Sequence, residues 1–225
     1  DTTAAVIVEP LVQGAAGMAM YHPIYLTRLR ELCDKYGLHL IADEIAVGFG
    51  RTGTLFACEQ AGIRPDFLCL SKGITGGYLP LSCVLTRDEI FAAFYADATA
   101  RGFLHSHSYT GNPLACRAAL AELDIFEADQ VLAGNQAKAA RFNALLAPIA
   151  AHQRVCHFRN VGMIWAFDVT HPEPGFSTRF HQQALARGLF IRPIGNTVYF
   201  MPPYVIEEAE MRLMAQVTLE LLDLL

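Results

Sequence analysis

Residues 38–44 read Leu-His-Leu-Ile-Ala-Asp-Glu, and residues 66–73 read Asp-Phe-Leu-Cys-Leu-Ser-Lys-Gly. The first stretch is almost continuously apolar up to Ala42, which is typical of a strand buried on both faces of a parallel sheet. Residues 67–71 form a second stretch of this kind. Open α/β sheets bind their ligands at the carboxyl ends of their strands. The sequence therefore predicts that Asp43 and Lys72 lie at one ligand-binding edge of a sheet.

A carboxylate and a lysine at one sheet edge are the two groups that a pyridoxal phosphate enzyme needs. The amine holds the cofactor covalently, and the acid keeps the pyridine nitrogen of the cofactor protonated. An ordinary salt bridge explains the same pair of residues, because ion-pair networks also place acids beside lysines. The pair alone leaves both interpretations open.

A glycine motif between the two stretches offers a rival function. Gly48-x-Gly50-x-x-Gly53 matches the fingerprint of a dinucleotide-binding dehydrogenase, with Asp66 further along the chain. That fingerprint places its first glycine directly after the strand, so that the pyrophosphate meets a helix N-terminus. Here two carboxylates and three more residues intervene, and the carboxylates would repel a pyrophosphate. The dehydrogenase is therefore the weaker alternative.

Composition and charge exclude several classes of protein. The net charge is −5 and no Lys/Arg cluster is present, which argues against a nucleic-acid surface. No apolar run reaches the ~18 residues of a membrane span, and no signal segment is recognisable. The six cysteines lack a CxxC pair and are typical of reduced core residues in a cytoplasmic protein. His105 and His107 have no third ligand at a suitable spacing, so we expect no metal site.

Five short motifs carry a resemblance to a known family. They occur in the order and approximate spacing of the class III, fold-type I aminotransferases, and the chain resembles this family from its first residue to its last, most closely its biotin-pathway members. The motifs are Val8-Glu9-Pro10, Ile41-Ala42-Asp43-Glu44-Ile45, Gly48-Phe49-Gly50-Arg51-Thr52-Gly53, Ser71-Lys72-Gly73-Ile74-Thr75-Gly76-Gly77 and Tyr109-Thr110-Gly111-Asn112-Pro113-Leu114-Ala115.

The resemblance implies an α/β fold with two domains. Residues 1–129 would form the C-terminal part of a fold-type I large domain, with a mainly parallel sheet and helices on both faces. Residues 130–225 would form a small C-terminal α+β domain. The chain opens directly on the predicted strand Val6-Ile7-Val8. We therefore expect the N-terminal half of the family fold, with its phosphate-binding loop and ring-stacking residue, to be absent from this chain.

The resemblance also implies roles in cofactor binding. Lys72 would bind pyridoxal 5′-phosphate and move a proton on the substrate, and Asp43 would pair with the ring nitrogen. Ile45 would pack against the ring, although an ordinary core residue explains it equally well. Ser108 would reach across a homodimer interface to the cofactor phosphate of the partner, so that the active sites are shared. A plain turn that caps the following helix at Asn112 is compatible with this role.

Four further residues are expected at the substrate. Arg192 would bind a substrate carboxylate bidentately, or it is a surface arginine. Tyr199 would line the same pocket, and Gly73 would contribute to substrate binding. Glu9 would lie near the reacting amine, although a salt bridge at the strand end is an equally good explanation.

The implied reaction transfers an amino group from a small-molecule donor, adenosylmethionine in the biotin-pathway members, to a keto acceptor. The residues themselves do not identify the donor. Another class III aminotransferase, such as an ω-amino acid:pyruvate enzyme, would share Asp43 and Lys72. A non-catalytic scaffold would keep the core without the chemistry.

Two local predictions can be compared directly with the structure. Pro23 begins a helix whose apolar residues predict one buried face, formed by Leu26, Leu29, Leu32, Cys33 and Tyr36. Residues 189–193 and 197–201 are expected to pair as short strands joined by a turn at Gly195-Asn196.

Overall fold

The structure, a computed structural model, describes residues 2–225 and consists of two compact units. The first unit contains residues 2–11, 22–49 and 54–130, and the second contains residues 12–21, 50–53 and 131–225. No sequence pattern assigns the segments 12–21 and 50–53 to the second unit, and the domain boundary predicted after residue 129 stays a prediction. None of the helices in residues 2–225 has both the length and the apolar character needed to cross a membrane.

The described residues contain both strands and helices throughout the chain. In chain order the elements are β1 (Ala5–Val8), β2 (Val12–Gln13), β3 (Ala19–Met20), α1 (Ile24–Tyr36), β4 (His39–Asp43), β5 (Phe67–Leu70), β6 (Cys83–Thr86), α2 (Asp88–Phe94), α3 (Pro113–Ala128), α4 (Val131–Ala150), β7 (Val155–Val161), β8 (Ile164–Val169), α5 (Phe176–Leu185), β9 (Thr197–Phe200) and α6 (Glu208–Asp223). Short 3-10 helices cover Ala57–Ala61, Lys72–Thr75 and Thr99–Arg101.

The first unit is built on a four-stranded sheet in the order β1-β4-β5-β6. The pairs β1–β4 and β4–β5 are parallel, and β5–β6 is antiparallel. Leu40, Ala42 and Leu70 are buried, as the apolar runs in the sequence predict. The sheet is mixed but mostly parallel and is accompanied by helices, which confirms the predicted α/β class. Strands β1 and β6 are its two edge strands.

A buried carboxylate fixes the amino ends of the central strands. Asp66 precedes β5 and accepts hydrogen bonds from the Leu40 N–H at 2.6 Å and from Arg30 Nη1 at 2.8 Å. Arg87 Nη2 lies 2.5 Å from the second oxygen of Asp66. Burial alone would raise the pKa of Asp66, but these donors hold that pKa below its ordinary value. Asp66 thereby ties β4, α1 and the start of α2 to the beginning of β5.

Helix α1 buries a narrower stripe than its sequence pattern predicts. Leu26 and Cys33 are buried, whereas Leu32 is 49% exposed and Tyr36 is 62% exposed. Leu26 and Cys33 lie two turns apart on one line of the helix, and this line packs against β4 and the 3-10 helix 57–61. The prediction of a wide buried face was therefore wrong for Leu32 and Tyr36.

The second unit is an α+β structure around the antiparallel sheet β7-β8-β9. Strand β8 is buried along most of its length, and Trp165, its second residue, makes an edge-on contact with Phe142 of α4 at 4.8 Å between ring centres. The indole N–H of Trp165 donates to Asn143 Oδ1 at 2.6 Å. This core also includes Phe167, Phe180, Phe200 and Leu221.

One predicted strand of the second unit is absent. Residues 189–193 are not part of any strand, and only an isolated bridge joins Ile194 to Thr197. Side chains of α5 take the place of a strand partner. His181 Nδ1 lies 2.7 Å from the Ile191 carbonyl oxygen, and the Ser177 hydroxyl donates to the Pro193 carbonyl at 2.6 Å. Because Pro193 also lacks an N–H, the segment cannot form a regular ladder.

Candidate active site

Three of the residues predicted from the sequence meet at the carboxyl edge of the first sheet. Val8 pairs with Ala42, and Asp43 pairs with Cys69, so the ends of β1, β4 and β5 lie side by side. Glu9 directly follows β1, Asp43 is the last residue of β4, and Lys72 follows β5 by two residues. The parallel register of the strands therefore brings two acids and a lysine to one edge.

The Asp43 side chain is oriented by the backbone that follows it. Its Oδ1 accepts a hydrogen bond from the Ile45 N–H at 3.1 Å, and the residue is half-buried. Burial raises the pKa of the neighbouring Cys69 thiol, and the charge of Asp43 raises it further. Among residues 2–225 no lysine, arginine or histidine forms an ion pair with Asp43. Its carboxylate can therefore accept a hydrogen bond from a positively charged ligand.

Lys72 has a fixed backbone and an unengaged amine. It is the first residue of the 3-10 helix 72–75 and has a φ of +45°, a left-handed conformation that is uncommon for a side chain of this size. The Ser71 hydroxyl donates to the Leu81 carbonyl at 2.9 Å, and the Thr75 hydroxyl donates to the Leu79 carbonyl at 2.5 Å. The ammonium group makes no hydrogen bond or ion pair with any described residue, and Lys72 is exposed.

Gly73 allows the backbone next to Lys72 to pack closely against the Phe49 side chain. A Cβ atom at this position would lie 2.9 Å from Cβ and 3.0 Å from Cδ2 of Phe49. Phe49 is 5% exposed and packs edge-on against Phe56 at 5.7 Å between ring centres. Any larger residue at position 73 must therefore displace a buried aromatic side chain or the backbone beside Lys72.

The glycine motif 48–53 does not have the geometry of a dinucleotide site. Residues 45–52 form a run of turns, and the next helix, the 3-10 helix 57–61, begins four residues after Gly53. The N–H groups at the start of that helix are already used, because Ala57 and Cys58 both donate to the Glu44 carboxylate at 2.8 Å. No helix N-terminus is available there for a pyrophosphate, so the dehydrogenase alternative was wrong.

Ser108 also belongs to the first unit, but it lies on an exposed turn and not at the strand ends. The Thr110 N–H donates to the His107 carbonyl at 3.0 Å and closes this turn. Asn112 caps α3, as its sequence position predicts, and its Oδ1 accepts from the Leu114 N–H at 3.0 Å. The Ser108 hydroxyl makes no hydrogen bond with the described part of the chain, so it is free to meet a ligand from outside.

Arg192 and Tyr199 belong to the second unit. The Arg192 guanidinium is exposed and lies 5.6 Å from the centre of the Phe190 ring. Within residues 2–225 no carboxylate forms an ion pair with Arg192. Tyr199 is half-buried in β9, where it pairs with Ala166 of β8. An unpaired guanidinium on an anchored segment is suited to bind a carboxylate of a ligand.

The structure reveals a buried charged residue that no sequence pattern indicates. Arg51, within the glycine motif, is largely buried, and burial lowers its pKa. Its Nη1 donates to the Pro202 carbonyl at 2.6 Å, and its guanidinium lies 4.4 Å from the centre of the Tyr204 ring. No acidic residue in the described part of the chain pairs with it. The presence of an arginine in the glycine motif was the only sequence signal.

The carboxyl edge of the first sheet fits pyridoxal phosphate. It offers the unbonded amine of Lys72 on a short turn, and the carboxylate of Asp43, with which no lysine, arginine or histidine of residues 2–225 forms an ion pair. Comparisons with known proteins point in the same direction. The family profile described as aminotransferase class-III matches residues 1–221.

The adenosylmethionine-8-amino-7-oxononanoate aminotransferase of Helicobacter pylori is 48% identical over 225 residues, which cover 97% of this chain and 52% of that protein. The crystal structure of the corresponding enzyme from Methanocaldococcus jannaschii superimposes with a TM-score of 0.91 at 36% identity, covering 97% of this chain and 53% of that one. An amine transaminase from an uncultivated Pseudomonas species, solved in a PLP-bound form, has a TM-score of 0.86 at 35% identity, covering 97% and 51%. The chain spans about half the length of the relatives that it matches.

Proposed function

Because the chain belongs to the class III aminotransferases, we propose that it carries the lysine-bearing part of a pyridoxal phosphate-dependent active site. The complete protein would convert 8-amino-7-oxononanoate to 7,8-diaminononanoate in biotin biosynthesis, with adenosylmethionine as amino donor. The names of the relatives that are 40–48% identical support this choice of substrate. The observation that carries the proposal is the placement of Asp43 and Lys72 on neighbouring strand ends, with the amine of Lys72 unengaged.

Lys72 and Asp43 would have different roles in the reaction. Bound pyridoxal phosphate supplies an electron sink that stabilises negative charge on the substrate carbon. The Lys72 amine would hold the cofactor covalently, be released by the amino donor, and then move a proton from the substrate carbon as a general base. The Asp43 carboxylate would accept the hydrogen bond of the protonated ring nitrogen, and the Ile45 N–H keeps that carboxylate oriented.

The remaining residues would complete the cofactor site. Ile45 follows Asp43 and would present its side chain to the flat ring. Gly73 would contribute to substrate binding through its backbone, and its lack of a side chain lets that backbone pack against Phe49. Ser108 would contact the cofactor phosphate across a dimer interface, and its free hydroxyl supports that role.

Three further residues would take part in substrate recognition. Arg192 would bind the carboxylate of the keto acceptor, and its lack of an acidic partner in residues 2–225 supports this role. Tyr199 would line the same pocket, and Glu9 would lie near the reacting amine because it follows β1 at the sheet edge.

The proposal includes a homodimer in the cytoplasm. Large apolar side chains of the first unit are exposed, including Tyr78 at 88% and Leu104 at 85%. Their exposure supports the proposal that a second subunit covers part of the first unit. Reduced cysteines, all six of them unpaired in the structure, are compatible with a reducing compartment.

A second candidate is an amine transaminase that uses a different acceptor. The similarity to the Pseudomonas amine transaminase favours it, since both candidates would use Asp43 and Lys72 in the same way. Assays of the complete protein with 8-amino-7-oxononanoate and, separately, with pyruvate distinguish the two.

The test of the shared chemistry is chemical trapping. The complete protein is incubated with pyridoxal phosphate, reduced with borohydride and mapped by peptide mass. We expect a pyridoxyl adduct on Lys72, none in Lys72→Ala, and none on Lys35 or Lys138, the other two lysines of this chain. A folded complete protein without an adduct on Lys72 contradicts the proposed function.

A further inference from the structure

Glu44 is a fully buried acid beside the proposed cofactor site, and none of the roles above uses it. Its exposed fraction is 0%. Side chains of successive residues leave a strand on opposite faces, so Glu44 points away from the face to which Asp43 points. A buried carboxylate is costly unless its oxygens are hydrogen bonded.

Glu44 is held by its backbone and by its side chain. Its N–H donates to the Cys69 carbonyl at 3.0 Å, and its carbonyl accepts from the Gly48 N–H at 2.9 Å. The two carboxylate oxygens accept from the N–H groups of Ala57 and Cys58, each at 2.8 Å. The residue therefore joins the end of β4 to β5, to the following turn and to the start of the 3-10 helix 57–61.

These contacts fix the atoms that orient Asp43. Asp43 precedes Glu44, and the Ile45 N–H that binds Asp43 Oδ1 follows it. A shift of Glu44 therefore moves both the carboxylate that would face the ring nitrogen and the donor that orients it. The close packing at Gly48, where a Cβ would lie 2.8 Å from the Glu44 carbonyl oxygen, leaves the turn little freedom to compensate.

We propose that Glu44 is a positioning residue for Asp43: by clamping the N–H groups of residues 57 and 58, its carboxylate holds Asp43 in the geometry that pairs with the cofactor ring nitrogen. This inference rests on the proposed function. The simpler role is structural, in which Glu44 only caps the 3-10 helix and adds stability. The two roles differ in what happens to the bound cofactor when the clamp is weakened.

The experiment uses the complete protein and the variant Glu44→Gln, which keeps the shape of the side chain but replaces one acceptor oxygen with a donor. Three quantities are measured: the Tm, the dissociation constant for pyridoxal phosphate, and the pH at which the visible absorbance of the bound cofactor changes. We expect roughly tenfold weaker binding, as for the loss of one hydrogen bond to a charged group. The pH of the absorbance change should shift in the same direction as in Asp43→Asn, by a smaller amount.

Glu59→Gln is the matched control. Glu59 lies on the same 3-10 helix, and its Oε1 accepts from the Phe56 N–H at 3.0 Å, a bond that an amide oxygen can replace. Glu59 has no hydrogen bond to residues 43–45. Its charge raises the pKa of Glu44, so its removal favours the ionised carboxylate of Glu44 and does not weaken the clamp. The cofactor affinity and absorbance profile of Glu59→Gln should therefore equal those of the wild type. A second test variant, Cys58→Ala, removes the thiol that donates a further hydrogen bond to the Glu44 carboxylate, so it weakens the clamp while both N–H donors stay in place. It should shift the absorbance profile in the same direction by less.

The outcomes separate the hypotheses. If Glu44→Gln lowers only the Tm and leaves the dissociation constant and the absorbance profile unchanged, Glu44 is structural and the inference is wrong. If Glu44→Gln does not fold, the profile of Cys58→Ala decides: a shift supports the inference, and an unchanged profile overturns it. If the wild-type protein itself fails to bind pyridoxal phosphate and shows no adduct at Lys72, the proposed function fails, and this inference fails with it.

Discussion

Replacement of Gly73 by alanine should disturb the lysine site through one steric contact. The new Cβ would lie 2.9 Å from Cβ, 3.0 Å from Cδ2 and 3.1 Å from Cγ of Phe49, all closer than ordinary contact. Phe49 is buried and cannot swing into solvent, so either its ring or the backbone at residue 73 must move by several tenths of an ångström. Overpacking of this kind costs about 1–3 kcal/mol of folding free energy. Lys72 is the adjacent residue and has a left-handed backbone. A displacement of the backbone at residue 73 therefore also moves the amine of Lys72.

The assay combines stability with trapping of the lysine. Urea unfolding of Gly73→Ala in the complete protein should show the loss given above, and the initial rate of borohydride-trapped adduct formation at Lys72 should fall roughly tenfold or more, as small misplacements of reacting groups produce. Gly77→Ala is the control: its φ is +85°, but nothing lies within 4 Å of an added Cβ. It should lose about 1 kcal/mol through backbone strain alone and keep the wild-type trapping rate. A Gly73→Ala protein with wild-type stability and trapping rate refutes the steric reasoning.

Two further predictions concern the second unit. Burial alone would raise the pKa of Asp168, but hydrogen bonds from Arg159 and Thr197 hold that pKa below its ordinary value. This stabilisation is present above the unfolded-state pKa of about 3.9 and is lost as the pH falls through the lower folded-state value. Asp168→Asn should therefore be about 2–4 kcal/mol less stable than wild type at pH 7 in urea unfolding, and the difference should vanish in acid; a constant difference at all pH values contradicts this. Ser177→Ala removes the hydroxyl that donates to the Pro193 carbonyl. The variant should therefore have a several-fold higher KM for the keto acceptor with little change in kcat. An unchanged KM in steady-state kinetics contradicts this prediction.

The sheet edge was predictable from the sequence for a simple reason. The runs around Leu40 and Leu68 are too short for helices and too apolar for surface strands, and each ends at a polar residue with chemical function. Two such strands pair in parallel in an α/β fold, and the parallel pairing of β4 with β5 places Asp43 beside Cys69, three residues before Lys72. The cap at Asn112 was predictable for a similar reason, because the geometry of a helix start is local.

Features that depend on distant contacts were not predictable. The charge of Arg51 is buried by Pro202 and Tyr204, about 150 residues further along the chain. The segment around Arg192 has the composition of a strand, yet side chains of α5 hold its carbonyls and leave it irregular. The left-handed backbone of Lys72 has no sequence signal either, since nothing in a lysine indicates a positive φ.

The edge strand β1 has a consequence for handling the protein. Within the part of the chain that the structure describes, β1 pairs only with β4, and Ile7 in its middle is 66% exposed. The outer side of β1 therefore presents a row of N–H and C=O groups with an apolar side chain among them, and the strand has no lysine, proline or bulge of its own to discourage a second strand from adding there. As a separate 225-residue polypeptide, this chain would offer a template for intermolecular β-pairing. Purification of the segment alone calls for dilute solutions and early removal of aggregates.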